Sequence, residues 1–311
     1  MKLTVIICTH NRFQLLASAI DSLNAAHKPD HCEINILVIA NACTDETVSK
    51  LQQYRELQPE YNLLPLSFAE EPKAGKSYAL NRAVNQVREG YLCFIDDDHR
   101  VDLNYFAAIA KAINNFPDTA LFCGPIFPDW QGDEPDWIHD TSKYKIYPLP
   151  IPYFDLGQQP LRLTEKSHAP LPGGGWVVIH RDVFKRVGLF SEKLGPTGHN
   201  LVGSEDTDFF LRALRKGETF YYIPDIVQYH YVDKKRLRLN YLMANCFQRN
   251  RSFTLTCNPM RRAVPLYLWR QLFNHMIGTV FSLSLNRTRF YLMRCASTLG
   301  EIFGLLQTRK L

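Results

Sequence analysis

The sequence predicts an α/β protein built on a mostly parallel, doubly wound sheet, and three observations carry that prediction. Between Leu3 and Asp98, short apolar or β-branched runs alternate with stretches of helical periodicity. The connections between them are brief and polar, as parallel sheets with helical crossovers require. The fourth run, Tyr91 to Ile95, ends abruptly in Asp96-Asp97-Asp98, which puts a cluster of acids where a strand stops. Composition agrees, because 311 residues of which 46% are hydrophobic can bury one large domain and support an extension.

Each element follows in order. Leu3 to Cys8 is a strand, Thr9-His10-Asn11-Arg12 a polar loop, and Leu15, Leu16, Ala19, Ile20 and Leu23 mark a helix. Ile34 to Ile39 is the second strand and Asn41 to Asp45 its loop; Val48 to Leu57 is a helix entered by Thr44 or Asp45 as N-cap. Leu63 to Phe68 reads as the third strand, and a helix through Tyr78, Leu80, Ala83, Val84 and Val87 leads to the fourth. Ligands of such sheets bind beyond the carboxyl ends of the strands. Thr9 and Arg12, Asn41 and Asp45, Lys73 and Lys76, and Asp96 and Asp98 are therefore expected on one rim. Three adjacent carboxylates repel one another unless a cation offsets them. Strand alternation would put Asp96 and Asp98 on one face and turn Asp97 away. That inventory suits a nucleoside diphosphate held through a divalent ion. Lys73-Ala74-Gly75-Lys76-Ser77 is not a P-loop, since Glu70 stands where the pattern needs its first glycine.

Val5-Ile6-Ile7-Cys8-Thr9-His10-Asn11-Arg12, Asn41-Ala42-Cys43-Thr44-Asp45, Gly75-Lys76-Ser77-Tyr78-Ala79-Leu80-Asn81 and Asp96-Asp97-Asp98, in this order and spacing, resemble the family 2 glycosyltransferases, which have the GT-A fold. The resemblance implies a GT-A domain over residues 1–235, divided into a nucleotide-sugar half (1–127) and an acceptor half (128–235), followed by a helical extension over 236–311. It implies Asp96 near the ribose and Asp98 on Mn²⁺ or Mg²⁺, with Thr9, Arg12, Asn41, Asp45 and Lys76 at the donor. One departure is Ala40, where the family often has an aspartate; its methyl cannot hydrogen-bond a base, so uracil is not assigned.

Pro125 to Pro172 is rich in Pro, Trp, Tyr and Asp with little periodicity, the mark of a functional loop or lid. Trp130, Trp137, Tyr144, Tyr147 and Tyr153 would either stack on sugar rings or pack that loop. Gly173-Gly174-Gly175 then runs into the strand Trp176 to Ile179, and glycines there permit close backbone approach. In the resembled family this stretch borders the acceptor and sugar pocket. After a helix from Arg181 and a loop over Gly195 to Asn200, Glu205-Asp206 opens a helix through Phe209, Leu211, Ala213 and Leu214. Acids in a first turn are favoured by the helix dipole alone. By resemblance, Asp206 is the base of an inverting transfer and Glu205 its neighbour. An attacking hydroxyl must lose its proton, and a positioned carboxylate contributes about 10²- to 10⁴-fold. His230, on the apolar run Ile226 to Tyr231, would ordinarily be a packing residue; the resemblance makes it a metal ligand beside Asp98. Gln248-Arg249-Asn250-Arg251-Ser252 is similar to the Gln-x-x-Arg-Trp pattern of processive synthases, with Ser252 replacing the Trp, and offers Arg249 or Arg251 to a phosphate.

The net charge is +5, and from Arg261 onward eight basic residues face Glu301 alone, so an anionic surface is the expected partner of residues 261–311. Leu266 to Leu285 and Tyr291 to Leu306 read as two basic amphipathic helices. They would lie on anionic lipid or form an intramolecular cap or dimer contact, and both placements stay open. The eight cysteines lack metal-site spacing and imply a reduced compartment. No secretory signal or bilayer-spanning stretch is read, so the expected location is cytoplasmic or peripheral on the inner face of the membrane.

The sequence is thus read as a metal-dependent, inverting glycosyltransferase of polysaccharide or glycoconjugate synthesis. Its partners would be a nucleotide-diphospho-sugar donor and a saccharide or lipid-linked acceptor, with no nucleic acid. A nucleotidyltransferase, which needs no acceptor-side base, stays open. So does a non-catalytic carbohydrate-binding or scaffold subunit, which Ala40 favours and the intact acids oppose.

Overall fold

The structure is a computed structural model, and it describes all residues except 62, 147–150, 166–168, 195–204, 258–262 and 308–311, with no side-chain description at 59–61 and 256–257. Tyr147, the loop over Gly195 to Asn200, and Arg261, Arg262, Arg309 and Lys310 lie outside the described residues. The chain forms two compact units. One comprises Met1–Pro128 and Pro152–Tyr231, the other Asp129–Ile151 and Val232–Leu311.

The first unit is the predicted α/β sheet. β1 (Lys2–Thr9), β2 (Glu33–Asn41), β3 (Leu66–Glu71) and β4 (Tyr91–Asp96) alternate with α1 (Phe13–Ala25), α2 (Thr47–Tyr61) and α3 (Lys76–Gln86). All four strands are parallel, in the order β3-β2-β1-β4. β1 shows why its run is continuously apolar: Leu3, Val5 and Ile7 feed one core and Ile6 the other, so both faces are covered. The third strand begins at Leu66, later than the predicted Leu63, because α2 reaches Tyr61 and Leu64 is buried in the connection before the strand.

Beyond β4 the chain departs from simple alternation. β5 (His99–Val101), α4 (Tyr105–Asn115), β6 (Leu121–Cys123), β7 (Ile126–Asp129) and β8 (Leu161–Leu163) precede β9 (Trp176–His180). β9 enters the sheet between β4 and β6 and runs antiparallel to both, so the sheet is mostly rather than wholly parallel. α5 (Arg181–Val187), α6 (Glu205–Arg215), β10 (Phe220–Tyr222) and β11 (Gln228–Tyr231) complete the unit. β5, β11 and β7 form a separate three-stranded sheet.

The second unit is helical, and its described residues include one α-helix more than the two predicted. α7 (Leu239–Cys257) precedes α8 (Leu266–Val280) and α9 (Leu285–Gln307). Gly300 and Gly304 sit four apart on α9, and a Cβ on them would meet Phe247 O at 2.3 Å and Thr254 Cβ at 2.7 Å, which lets α7 and α9 pack closely. The segment Asp129–Ile151 belongs here. Trp137 lies under Arg289, Tyr144 under Arg287, and Trp130 packs edge-on to His139, so these aromatics serve packing. Arg251 is bonded to Gln248 at 3.0 Å and to Gln307 at 2.8 Å.

Candidate functional site

The strand order reverses between β1 and β4, where Cys8 pairs with Asp96, so the ligand crevice of this sheet lies just past those two residues. Asp96 is the last residue of β4, and the chain turns through Asp97 and Asp98 into β5. Asp96 Oδ2 and Asp98 Oδ1 lie 4.0 Å and 3.9 Å from the same His99 Nε2, so these two do come together, but strand alternation has ended and the prediction that Asp97 turns away is corrected. Asp97 is buried; its carboxylate accepts from Thr9 Oγ1 at 2.7 Å and pairs with Arg12 Nη1 at 2.9 Å. Arg12 Nη2 holds Asp98 at 2.5 Å, and Lys76 Nζ holds Asp96 at 2.7 Å. Asp97 and Asp98 thus share the Arg12 guanidinium, while Asp96 has the Lys76 ammonium. Burial pushes Asp98 up, but the neighbouring His230 and His99 rings and the Arg12 guanidinium outweigh it and hold the carboxyl well below its usual range. Asp96 is likewise held low, burial being overcome by Lys76, whereas burial dominates at Asp97 and raises it.

The most specific geometry involves a residue that the sequence reading passed over. His99 and His230 are directly opposed in the antiparallel β5–β11 ladder, with ring centroids 5.0 Å apart. Asp98, His99 and His230 each offer a ligand atom, all within 4.8 Å of one another. His99 Nδ1 lies 2.9 Å from Gln228 Oε1, and Gln228 Nε2 donates to Tyr105 OH at 3.2 Å, so the His99 ring donates through Nδ1 and keeps its lone pair on Nε2. That Nε2 is buried with no hydrogen-bond partner among the described residues, 3.9 Å from Asp98 Oδ1. An orphaned imidazole nitrogen beside a carboxylate is costly unless a cation takes its lone pair. One oxygen and two imidazole nitrogens form a donor set suited to a divalent ion of the transition series. The signal in the sequence was slight: a histidine immediately following an aspartate triplet.

The glycine run joins this cluster to the predicted base. Neither Gly174 nor Gly175 has a left-handed φ; what they provide is space. A Cβ on Gly175 would sit 2.3 Å from Asp96 Oδ2, and one on Gly174 would sit 3.1 Å from Asp206 Cβ. Gly174 N–H donates to Asp206 Oδ2 at 2.9 Å, and Asp206 Oδ1 accepts from Thr207 N at 2.6 Å, which orients the carboxylate at the start of α6. Glu205 beside it is buried, and burial raises its carboxyl against the pull of Lys76. Burial opposes the Lys76 charge, yet Asp96 and Glu205 more than offset this and keep the ammonium protonated.

The remaining predicted residues stand on the same rim with committed side chains. Asn41 donates to Glu71 O at 3.1 Å and Lys73 O at 2.8 Å and accepts from Gly75 N at 2.9 Å, so it shapes the loop that starts α3. Gly75 at φ 142 is the turn that loop needs. Asp45 accepts from Thr47 N at 3.0 Å and so caps α2. Asn11 Oδ1 ties the first loop to the second through Thr44 N at 2.8 Å and Asp45 N at 3.2 Å. An open cleft of about 280 Å³ lies here, lined by Arg12, Asn11, Gln14, Asp45 and Glu46 among others.

Residues 4–188 match the sequence pattern described as glycosyl transferase family 2. The dTDP-rhamnosyl transferase RfbF of Shigella flexneri is 24% identical over 176 residues, 55% of this chain and 51% of that protein. The chain thus spans about half the length of the curated relative it matches. Among solved structures, TarS 1-349 of S. aureus in complex with UDP-GlcNAc aligns with a TM-score of 0.56 and 13% identity, covering 100% of this chain and 92% of that one. The mannosyltransferase PcManGT from Pyrobaculum calidifontis, in complex with GDP-Man and Mn²⁺, aligns with a TM-score of 0.58 and 17% identity, covering 96% and 86%. At these identities the likeness is one of fold, and it agrees with the GT-A arrangement that the motifs implied.

Proposed function

This chain belongs to glycosyl transferase family 2, and on that premise we propose that it transfers a glycosyl group with inversion from a nucleoside diphosphate sugar to a hydroxyl acceptor. The observation that carries the reading is the run Gly174-Gly175, which touches the candidate base Asp206 on one side and the acidic cluster at Asp96 on the other. A donor whose diphosphate meets that cluster would have its anomeric carbon within reach of an acceptor next to Asp206.

In this reading, Arg12 and Lys76 form the cationic rim for the diphosphate, and Asp96 lies near the ribose. Thr9 orients Asp97, while Asn41 and Asp45 shape the wall against the base. Asp98, His99 and His230 would hold a divalent ion, and two imidazoles among three ligands favour Mn²⁺ over Mg²⁺. Such an ion, when bound, supplies positive charge to the departing diphosphate. Asp206 takes the proton of the acceptor hydroxyl as its oxygen bonds to the anomeric carbon; the carbon–oxygen bond to the diphosphate breaks, and its electron pair leaves with the phosphate. Glu205, held beside Lys76, keeps the acceptor side of the pocket polar. The acceptor is the hydroxyl of a saccharide or lipid-linked saccharide, met at an anionic membrane surface that the C-terminal unit contacts.

Thermal denaturation against UDP, GDP, dTDP and CDP, with and without Mn²⁺, tests the donor site, because a ligand bound to the native state raises the melting temperature. One diphosphate should stabilise the protein only with metal, and Asp98→Ala should abolish the shift. A shift that survives in Asp98→Ala, or one independent of metal, would refute the assignment.

A further inference from the structure

α8 turns an apolar face outward. Leu266, Trp269, Phe273, Met276, Ile277 and Val280 are 40% to 86% exposed. At helical periodicity they form one stripe about 100° wide. On the opposite side, Leu268 and Leu272 pack with Ile302 and Leu305 of α9. The stripe runs on into the following turn, where Phe281 is 69% and Leu283 96% exposed. Contiguous apolar surface of this kind marks an interaction site.

Charge indicates what covers it. From Lys234 to Gly300 the sequence carries twelve Lys and Arg and no Asp or Glu. A second copy seated on the same face by a two-fold axis would set like charge against like. A surface of anionic phospholipid instead complements both the apolar stripe, which Arg270 of the same helix accompanies, and the excess of positive charge in this stretch of sequence. Trp269 lies within the stripe and Tyr267 beside it, and such rings settle where acyl chains meet headgroups. Fifteen residues of helix rise about 22 Å against a hydrocarbon core of about 30 Å. No helix among the described residues is long and apolar enough to cross a membrane. The orientation that remains is parallel to the surface.

We propose that α8 lies in the plane of an anionic phospholipid surface, with the Leu266-to-Val280 stripe at the acyl boundary and the basic residues of its unit on the headgroup phosphates. The inference rests on the proposed function for the identity of the acceptor alone; the lipid contact stands on the geometry of α8. The test is flotation of the full chain with vesicles of phosphatidylcholine, and of phosphatidylcholine mixed with phosphatidylglycerol, beside the double variant Phe273→Glu, Val280→Glu. Both positions are exposed, and near-ultraviolet circular dichroism checks that the fold survives; Phe273→Ser, Val280→Ser replaces the pair if it does not. Binding should require the anionic lipid, weaken with salt, and fall by more than about tenfold in the variant. Equal flotation of wild type and variant, or no flotation with anionic vesicles, would overturn the proposal. A wild-type dimer in light scattering that the variant dissolves, without lipid binding, would assign the face to a second copy instead. Loss of the nucleotide-and-Mn²⁺ thermal shift with lipid binding retained would count against the proposed function and leave this inference standing.

Discussion

Gly175→Ala perturbs the site by a distance that the structure supplies. The new methyl would sit 2.3 Å from Asp96 Oδ2 and 2.4 Å from its Cγ, where ordinary contact begins at 3.4 Å, so the carboxylate must retreat by about 1 Å. Asp96 is held at 2.7 Å by Lys76, and a retreat of that size carries the pair out of hydrogen-bonding range. Overpacking of this kind costs about 1–3 kcal/mol. In a protein of 311 residues, with about 2.1 cal/mol/K of unfolding entropy per residue, that lowers the melting temperature by about 1.5–5 °C. A positioned group displaced by about 1 Å costs on the order of 10² in rate. Gly174→Ala is the internal comparison. Its methyl would meet Asp206 Cβ at 3.1 Å, which a shift of a few tenths of an ångström relieves, and the backbone N–H that bonds Asp206 is kept. Melting curves with and without nucleoside diphosphate and Mn²⁺ should rank the proteins wild type, Gly174→Ala, Gly175→Ala. A Gly175→Ala protein as stable and as nucleotide-responsive as wild type would refute the close approach of the glycine run to Asp96.

Three further outcomes are expected. Asp206→Asn keeps one of the two acceptors that Gly174 N and Thr207 N use, its NH2 replacing the other, and lies away from the nucleotide rim, so nucleotide binding by thermal shift should be retained while transfer falls by about 10²- to 10⁴-fold; transfer near the wild-type rate would dismiss Asp206 as base. His99→Ala should weaken Mn²⁺ binding by about tenfold or more in calorimetry. An unchanged isotherm would reduce the candidate ligands to Asp98 and His230. Lys76→Met tests the acid limb of stability. The Asp96 carboxyl is held below its ordinary value of 3.8, so its stabilisation is present above that pH and lost as pH falls beneath it. Without the ammonium at 2.7 Å, acid unfolding followed by circular dichroism should begin at higher pH than in wild type.

What could be read from the sequence was local. Apolar runs of strand length, helical spacing and the polar residues that interrupt them are short-range patterns, so β1 to β4, their order along the chain and the rim bearing Thr9, Arg12, Lys76 and Asp96 were all legible. Asn41 and Asp45 were placed on that rim too, but which of their atoms are already bonded to backbone was not legible. The helices α8 and α9 were legible for the same reason; α7 was not, because its apolar residues do not concentrate on one face. Trp130, Trp137 and Tyr144 were open to a sugar or to packing, and the fold places Trp137 and Tyr144 against side chains of α9 and Trp130 against His139. The arrangement around Asp98 was decided by tertiary structure alone. A strand's alternation ends where the strand ends, so the turn at Asp97 brought that carboxylate to Thr9 and Arg12 against the sequence expectation. His99 faces His230 across 131 positions of chain only because β5 and β11 pair in one antiparallel register. By itself the sequence determined which chemistry-bearing residues stand at strand ends, because chain neighbours dictate local periodicity. Which of those residues meet was determined by strand pairing and burial, which act between residues that no local pattern connects.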